Sequence, residues 1–231
     1  MRISGLQKLS MVDYPGKLAA TVFTGGCNLR CPFCHNAPLV LRVGETPELT
    51  AEEVLTFLRS RRGLLDGVVL SGGEPLLQRD AADFLRDVKA LGFAVKLDTN
   101  GCYPEALAAI LKEGLVDYVA MDIKNRPEKY AETVGIPGFD AAPVLESAEL
   151  LKKSGVDYEF RTTVVRELHT AEDIRTIGEW LKGAKRWFLQ QFVDSGDLVG
   201  CGCSSLTPSE LQTFARIAEP YFGSVAIRGL D

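Results

Sequence analysis

No stretch of this 231-residue chain is apolar for long enough to cross a bilayer as a helix, which excludes a helical membrane anchor. The opening residues, MRISGLQKLSMVDYPGK, lack the apolar centre and small-residue cleavage site of a secretory signal, so a cytoplasmic protein is expected. Positive charge is also short. The 26 Lys and Arg residues face 31 Asp and Glu, and the net charge of −5 offers no general attraction for phosphate backbones. Nucleic acid and membranes are therefore not the expected partners. Internal repeats, low-complexity tracts and Pro/Ser-rich linkers are missing too, so residues 1–231 read as one domain. With 46% hydrophobic and 25% charged residues, the composition is that of an ordinary globular chain able to bury a substantial core. In the cytoplasm, six cysteines are expected as free thiols or metal ligands rather than disulfides.

Short runs rich in β-branched and aromatic residues alternate with segments of 3.6-residue periodicity. The runs cover residues 19–24, 67–70, 93–97, 117–121, 158–165 and 186–192. Between them, Phe84, Val88 and Leu91 share one helical face, as do Val144, Ala148 and Leu151. Three helix starts carry capping pairs: Thr50 with Glu53, Thr170 with Asp173, and Thr207 with Glu210 behind Pro208. Repeated βα units predict an α/β fold with a parallel sheet covered by helices. Polar or glycine-rich groups follow nearly every strand: GGC, SGGE, DTNG, MDIK, RTT and QQ. A doubly wound sheet would gather such groups at one switch point, whereas a barrel brings all strand ends to one mouth. The expectation is a partial (β/α)6 TIM-like barrel with outer helices. Its core would be residues 19–193, after an N-terminal segment 1–18 and before a C-terminal loop and helix over 194–231.

Residues 24–36 read TGGCNLRCPFCHN, a Cys-x3-Cys-x2-Cys spacing at Cys27, Cys31 and Cys34. Three thiolates on one loop suit three irons of a [4Fe–4S] cluster and leave the fourth iron open to a small ligand, where the common cluster has four cysteines. S-adenosylmethionine (SAM) can fill that position through its amino and carboxylate groups. Three other readings compete. Cys31-Pro32-Phe33-Cys34-His35 also matches the attachment run of c-type haem, but that chemistry belongs outside the cytoplasm. A structural zinc on the three cysteines and His35 would leave the polar strand ends unexplained. Three packing cysteines within eight residues beside a Gly-Gly turn would be an unusual use of small hydrophobes.

Together with SGGEP, the cysteine motif resembles the radical SAM superfamily. VDYPGK, CHN, LDTNG and VAMDIK narrow the resemblance to the activases of glycyl radical enzymes, and within them to the anaerobic ribonucleoside-triphosphate reductase activating proteins. The likeness runs over residues 1–193 and implies a [4Fe–4S] cluster, SAM and radical chemistry. It places Phe33 beside the SAM adenine, with His35 next to the cluster cysteines. It gives Gly72, Gly73 and Glu74 to the methionine amino group, Asp98 and Asp122 to a monovalent cation, and Lys124 to the SAM-contacting stretch. Arg161 would face the same cavity. Gln190 or Gln191 would replace a histidine of the pyruvate formate-lyase relatives. Asp13 would meet the glycyl loop of a partner, although Tyr14 stands where those relatives carry glycine. An electron donor such as flavodoxin or ferredoxin is implied as well.

Outside these motifs, His169 precedes a helix cap and reads as a surface residue. Trp180 and Trp187 read as packing residues, and Cys102 and the Cys201-Gly202-Cys203 pair have no evident partners. The leading function is hydrogen abstraction from a glycine Cα of a large anaerobic enzyme, expected to be a ribonucleotide reductase. A radical SAM enzyme acting on a small molecule or peptide is the second. A non-catalytic iron–sulfur electron carrier is the third, and it predicts a fourth protein ligand.

Overall fold

The computed structural model describes residues 1–45 and 48–230, and its frame is one eight-stranded sheet whose strands lie in chain order. They are β1 (Ile3–Ser10), β2 (Ala19–Thr24), β3 (Gly67–Gly72), β4 (Ala94–Thr99), β5 (Tyr118–Asp122), β6 (Asp157–Val164), β7 (Arg186–Gln191) and β8 (Ser224–Arg228). β1 pairs antiparallel with β2, and every later neighbouring pair is parallel. Among the described residues no ladder joins β8 back to β1, so the barrel is partial. The six expected strands are β2 to β7. Two strands go beyond the expectation: β1 occupies the N-terminal segment, and β8 follows the C-terminal helix.

A helix packs into each crossover: Ala51–Arg59, Ala81–Ala90, Pro104–Lys112, Ala142–Lys153, Ala171–Trp180 and Pro208–Ala218. All three capping boxes form, at Thr50 with Glu53, Thr170 with Asp173, and Thr207 with Glu210. The apolar stripes face the sheet. Val144, Ala148 and Leu151 are fully buried, and Phe84, Leu85 and Val88 nearly so. Burying three such side chains contributes roughly 5–9 kcal/mol before conformational entropy is charged against it.

Strand alternation then divides the interior. Outward residues such as Val22, Leu70, Val95, Leu97 and Val119 join the helices in the main core. Inward residues Ala19, Val69, Tyr118 and Ala120 make a small separate cluster with Tyr14 at the N-terminal ends of the strands. Tyr14 is buried there, 6.1 Å from the Tyr118 ring. Gly67 makes room for it, since a Cβ at that position would lie 3.0 Å from the Tyr14 ring. Above this apolar floor the inner face turns polar, with Thr21, Lys96 and Glu159 buried.

Trp187 packs fully buried and Trp180 half-buried, in keeping with packing roles. His169 is a correction: it is 3% exposed, not a surface residue. Its Nε2 donates to the Lys124 carbonyl at 2.8 Å, and its Nδ1 accepts from the Val165 N–H at 3.1 Å. Two backbone partners draw the ring inward before the cap begins. Among the described residues no helix is long and apolar enough to cross a membrane.

Candidate functional site

β2 ends at Thr24, and the chain turns through Gly25 and Gly26 into the loop that carries Cys27, Cys31 and Cys34. All three cysteines line one cavity of about 270 Å³ at the C-terminal ends of the strands. Cys31 is buried, and Cys27 and Cys34 are half-buried. Burial pushes the Cys31 thiol to about 12 and raises Cys27 as well. Only a strongly thiophilic centre would hold such sulfurs as thiolates.

The loop after β3 meets this loop at very close range. A Cβ on Gly73 would lie 2.0 Å from the Gly26 carbonyl oxygen, and one on Gly72 would lie 2.3 Å from the Thr24 nitrogen. Glycine is the residue that permits both contacts. The approach lets Gly73 N donate to Thr24 O at 2.9 Å and Glu74 N to Gly26 O at 2.8 Å. Gly72 and Gly73 line the cavity, and the Gly73 carbonyl receives no hydrogen bond from the described residues.

Glu74 departs from its expected place. Its side chain is fully buried and does not line the cavity. The carboxylate accepts from Leu76 N at 3.0 Å, Thr99 Oγ1 at 2.8 Å and Asn100 N at 2.7 Å. Burial raises it to about 7 against the pull of these three donors. The group that faces the cavity is the Gly-Gly backbone, while the carboxylate ties the β3 and β4 loops together.

The inward residues of β4, β5 and β6, with Lys124 just beyond β5, form a chain of alternating charge. Lys96 Nζ reaches Asp98 Oδ1 at 2.5 Å, and Arg161 Nη1 reaches Asp98 Oδ2 at 3.4 Å. Arg161 Nε donates to Asp122 Oδ1 at 3.0 Å, and Lys124 Nζ to Asp122 Oδ2 at 3.0 Å. Three cations to two carboxylates leave one surplus positive charge. Burial alone would raise Asp122, but Arg161 and Lys124 outweigh it and hold the carboxyl at about 2. Asp98 is likewise lowered, by Arg161 and Lys96 against burial. Side-chain cations thus pair with both of the carboxylates that the resemblance gave to a monovalent cation.

The other expected residues divide between the cavity and elsewhere. Phe33 lines the cavity, with Lys124 Nζ 6.0 Å above its ring centroid. His35 also lines it, stacked on Phe192 with centroids 5.7 Å apart. Gln190 faces the cavity, whereas Gln191 points the other way and donates to Leu206 O at 2.6 Å. Asp13 does not reach the site. It lies on the loop between β1 and β2 and accepts from Thr21 Oγ1 at 2.7 Å, which holds its carboxylate part-way along β2, short of the end that the cysteines follow.

Residues not singled out from sequence include Ser71, Thr99, Asn100 and Thr163 on the cavity wall, and Lys96 deeper on β4. Ser71 donates to Asp98 Oδ2 at 3.1 Å. The signal for Lys96 was present, because a period of two on β4 puts it on the same face as Asp98. Cys102 is half-buried and pushed to about 12 by burial. The loop carrying Cys201 and Cys203 crosses the cysteine loop through its backbone: Val199 N donates to Cys34 O at 3.3 Å, and Gly200 N to Pro32 O at 2.9 Å.

Comparison with known proteins decides what this arrangement is. The radical SAM superfamily profile matches residues 21–181. A Methanocaldococcus jannaschii protein named for glycyl-radical enzyme activation is 37% identical over 99% of this chain and 96% of its own length. This chain belongs to the radical SAM superfamily, in its glycyl-radical enzyme activating group. The pyruvate formate-lyase-activating enzyme of Clostridium pasteurianum is 33% identical over 80% of this radical SAM chain and 77% of its own. In fold, Streptococcus suis SuiB bound to S-adenosylmethionine matches with a TM-score of 0.68 and 15% identity, over 88% of this chain and 48% of that one. Membership implies a [4Fe–4S] cluster and SAM. The residues fit both: three thiols share one loop and one cavity, and the surplus positive charge of Lys124 in the same cavity suits a carboxylate.

Proposed function

We propose that this chain cleaves SAM reductively to install a glycyl radical on an anaerobic ribonucleotide reductase or a similar glycyl radical enzyme. A cluster and SAM bound in the cavity would supply a 5′-deoxyadenosyl radical, generated by one-electron cleavage of a sulfonium carbon–sulfur bond. The observation that carries the reading is that three thiols and the Lys124–Asp122–Arg161 chain line one cavity. Cys27, Cys31 and Cys34 would hold the cluster. Lys124, whose side chain is 15% exposed, would take the SAM carboxylate, with Arg161 behind it. The free Gly73 carbonyl would accept from the SAM ammonium, and Gly72 keeps that edge close to the cysteine loop. Phe33 would border the adenine, while His35 and Gln190 close the sides of the cavity. The electron would come from a separate low-potential carrier, a flavodoxin or ferredoxin.

The relatives named for activation support a glycyl radical enzyme as the target, and the choice of a ribonucleotide reductase rests on the resemblance in VAMDIK and LDTNG. Asp13 does not line the cavity, and it would meet the partner's glycyl loop apart from the SAM-binding residues. The test is anaerobic incubation of reconstituted protein, SAM and a reductant with a candidate reductase, followed by electron paramagnetic resonance. A glycyl radical on the reductase is expected. No radical on any candidate, together with deuterium from a small molecule entering 5′-deoxyadenosine, would replace the protein target with a small one.

A further inference from the structure

Among the described residues, Cys27 is the one member of the cysteine triad whose sulfur accepts hydrogen bonds. Leu29 N donates at 3.4 Å, and Asn100 Nδ2 donates at 3.8 Å. The second donor comes from another strand end, 73 residues away in sequence. Its orientation is fixed. Asn100 Oδ1 accepts from the Cys102 N–H at 3.0 Å, and a backbone N–H can only donate. The amide nitrogen must therefore face Cys27 and Asn28, whose Oδ1 it also reaches at 2.9 Å.

Asn100 is itself held from behind. Its backbone N–H donates to Glu74 Oε2 at 2.7 Å, and the neighbouring Thr99 hydroxyl donates to Glu74 Oε1 at 2.8 Å. Asn100 is 5% exposed and Glu74 is fully buried. The loops after β2, β3 and β4 are thus joined in a line that runs from the Glu74 carboxylate through Asn100 to the Cys27 sulfur. A buried carboxylate with three protein donors and no access to the cavity is spent on this line. It is not available to a ligand.

We infer that Asn100 is a positioning residue that donates an N–H···S hydrogen bond to a cluster-bound Cys27, with Glu74 holding it in place, and that this bond sets the reduction potential of the cluster. Hydrogen bonds to cluster sulfurs draw off electron density and favour the reduced form, which carries one more negative charge. Loss of the bond should make the cluster harder to reduce. The inference rests on the reading of Cys27 as a cluster ligand.

Asn100→Ser tests it. Serine keeps an acceptor for the Cys102 N–H but is too short to reach the sulfur. The reconstituted variant should carry the full iron and sulfide of one cluster. Its one-electron reduction equilibrium, titrated anaerobically without SAM, should move about tenfold toward the oxidised state, or about 59 mV. Glu74→Gln removes a buried charge as well as the support, so its part is read from the cycle: the shift caused by Asn100→Ser should shrink in the Glu74→Gln background. An unchanged potential in Asn100→Ser overturns the inference. Additive shifts overturn the role of Glu74. If Asn100→Ser loses iron, Asn100→Thr, which is uncharged and keeps an acceptor for the Cys102 N–H, takes its place. Iron loss from both folded variants would make Asn100 a structural prop and would likewise overturn it. Cys27→Ala separates the two levels. Retained cluster there removes the ligand assignment itself, whereas lost cluster there with an unmoved potential in Asn100→Ser removes only the inference.

Discussion

Replacing Lys124 by Met tests how the site holds an anionic ligand group. Lys124 is the outermost member of the chain Lys96–Asp98–Arg161–Asp122–Lys124 and contributes to the cavity wall. Its removal takes away the one surplus positive charge but leaves Asp122 bonded to Arg161 at 3.0 Å. The fold should lose only about 1–3 kcal/mol, below the roughly 3–5 kcal/mol expected when a buried charge loses all compensation. SAM binding should suffer more specifically. A charge-assisted hydrogen bond to its carboxylate is worth about 1.5–3 kcal/mol, which predicts affinity weaker by roughly 10- to 150-fold. The assay is equilibrium binding of SAM to anaerobically reconstituted protein, with denaturant unfolding in parallel. Lys96→Met is the control, because Lys96 is 2% exposed, does not line the cavity and lies deeper on β4. It should cost stability while leaving SAM affinity within a few-fold. Unchanged affinity in Lys124→Met, or an equal loss in Lys96→Met, would refute direct contact between Lys124 and the SAM carboxylate.

Three other perturbations probe the surroundings. His169 is pushed below its usual value by burial, and its Nδ1 must stay unprotonated to accept from Val165 N. Its contribution to stability is therefore complete above about pH 6.5 and lost as pH falls toward the folded-state value; unfolding of the parent should show this loss between pH 7 and 5, and His169→Gln should flatten it. Tyr14→Ala should destabilise by about 3–5 kcal/mol through the void left beneath Tyr118 and Gly67; a loss under about 1 kcal/mol in denaturant would show that the ring does not fill the barrel floor. Double replacement of Cys201 and Cys203 by Ser should leave SAM cleavage and the iron of one cluster intact, since that loop is anchored by the backbone of Val199 and Gly200; iron loss on quantitation would instead make the pair metal ligands.

Strands β2 to β7 were legible because each is an apolar run closed by turn residues, as parallel strands covered on their outer face must be. β1 and β8 were not. Gln7, Lys8 and Leu9 of β1 are exposed, so its sequence shows no buried stripe, and β8 is a five-residue, half-exposed edge. Its pattern, SVAIR, depends on pairing with β7 to become a strand at all.

The site shows the same division in finer form. Cys27, Gly73, Asp122, Lys124 and Gln190 were placed correctly at one mouth because parallel strands carry all their C-terminal ends to the same side. Sequence also says which residues are near each other along the chain, and that guide fails for Asp13. Only 14 positions separate it from Cys27, but six of the intervening residues form β2. A strand of that length spans about 20 Å, and the bond to Thr21 holds Asp13 part-way along it, away from the cavity that the cysteines line. Glu74 fails in the opposite sense, by direction and not by distance. It lies next to Gly73 at the mouth, yet its side chain turns away toward Thr99 and Asn100, which come from a strand end that the motif SGGE does not contain. A motif can fix where a backbone goes. Which way a carboxylate turns depends on donors supplied by the neighbouring strand, and these become visible once the two loops are packed against each other.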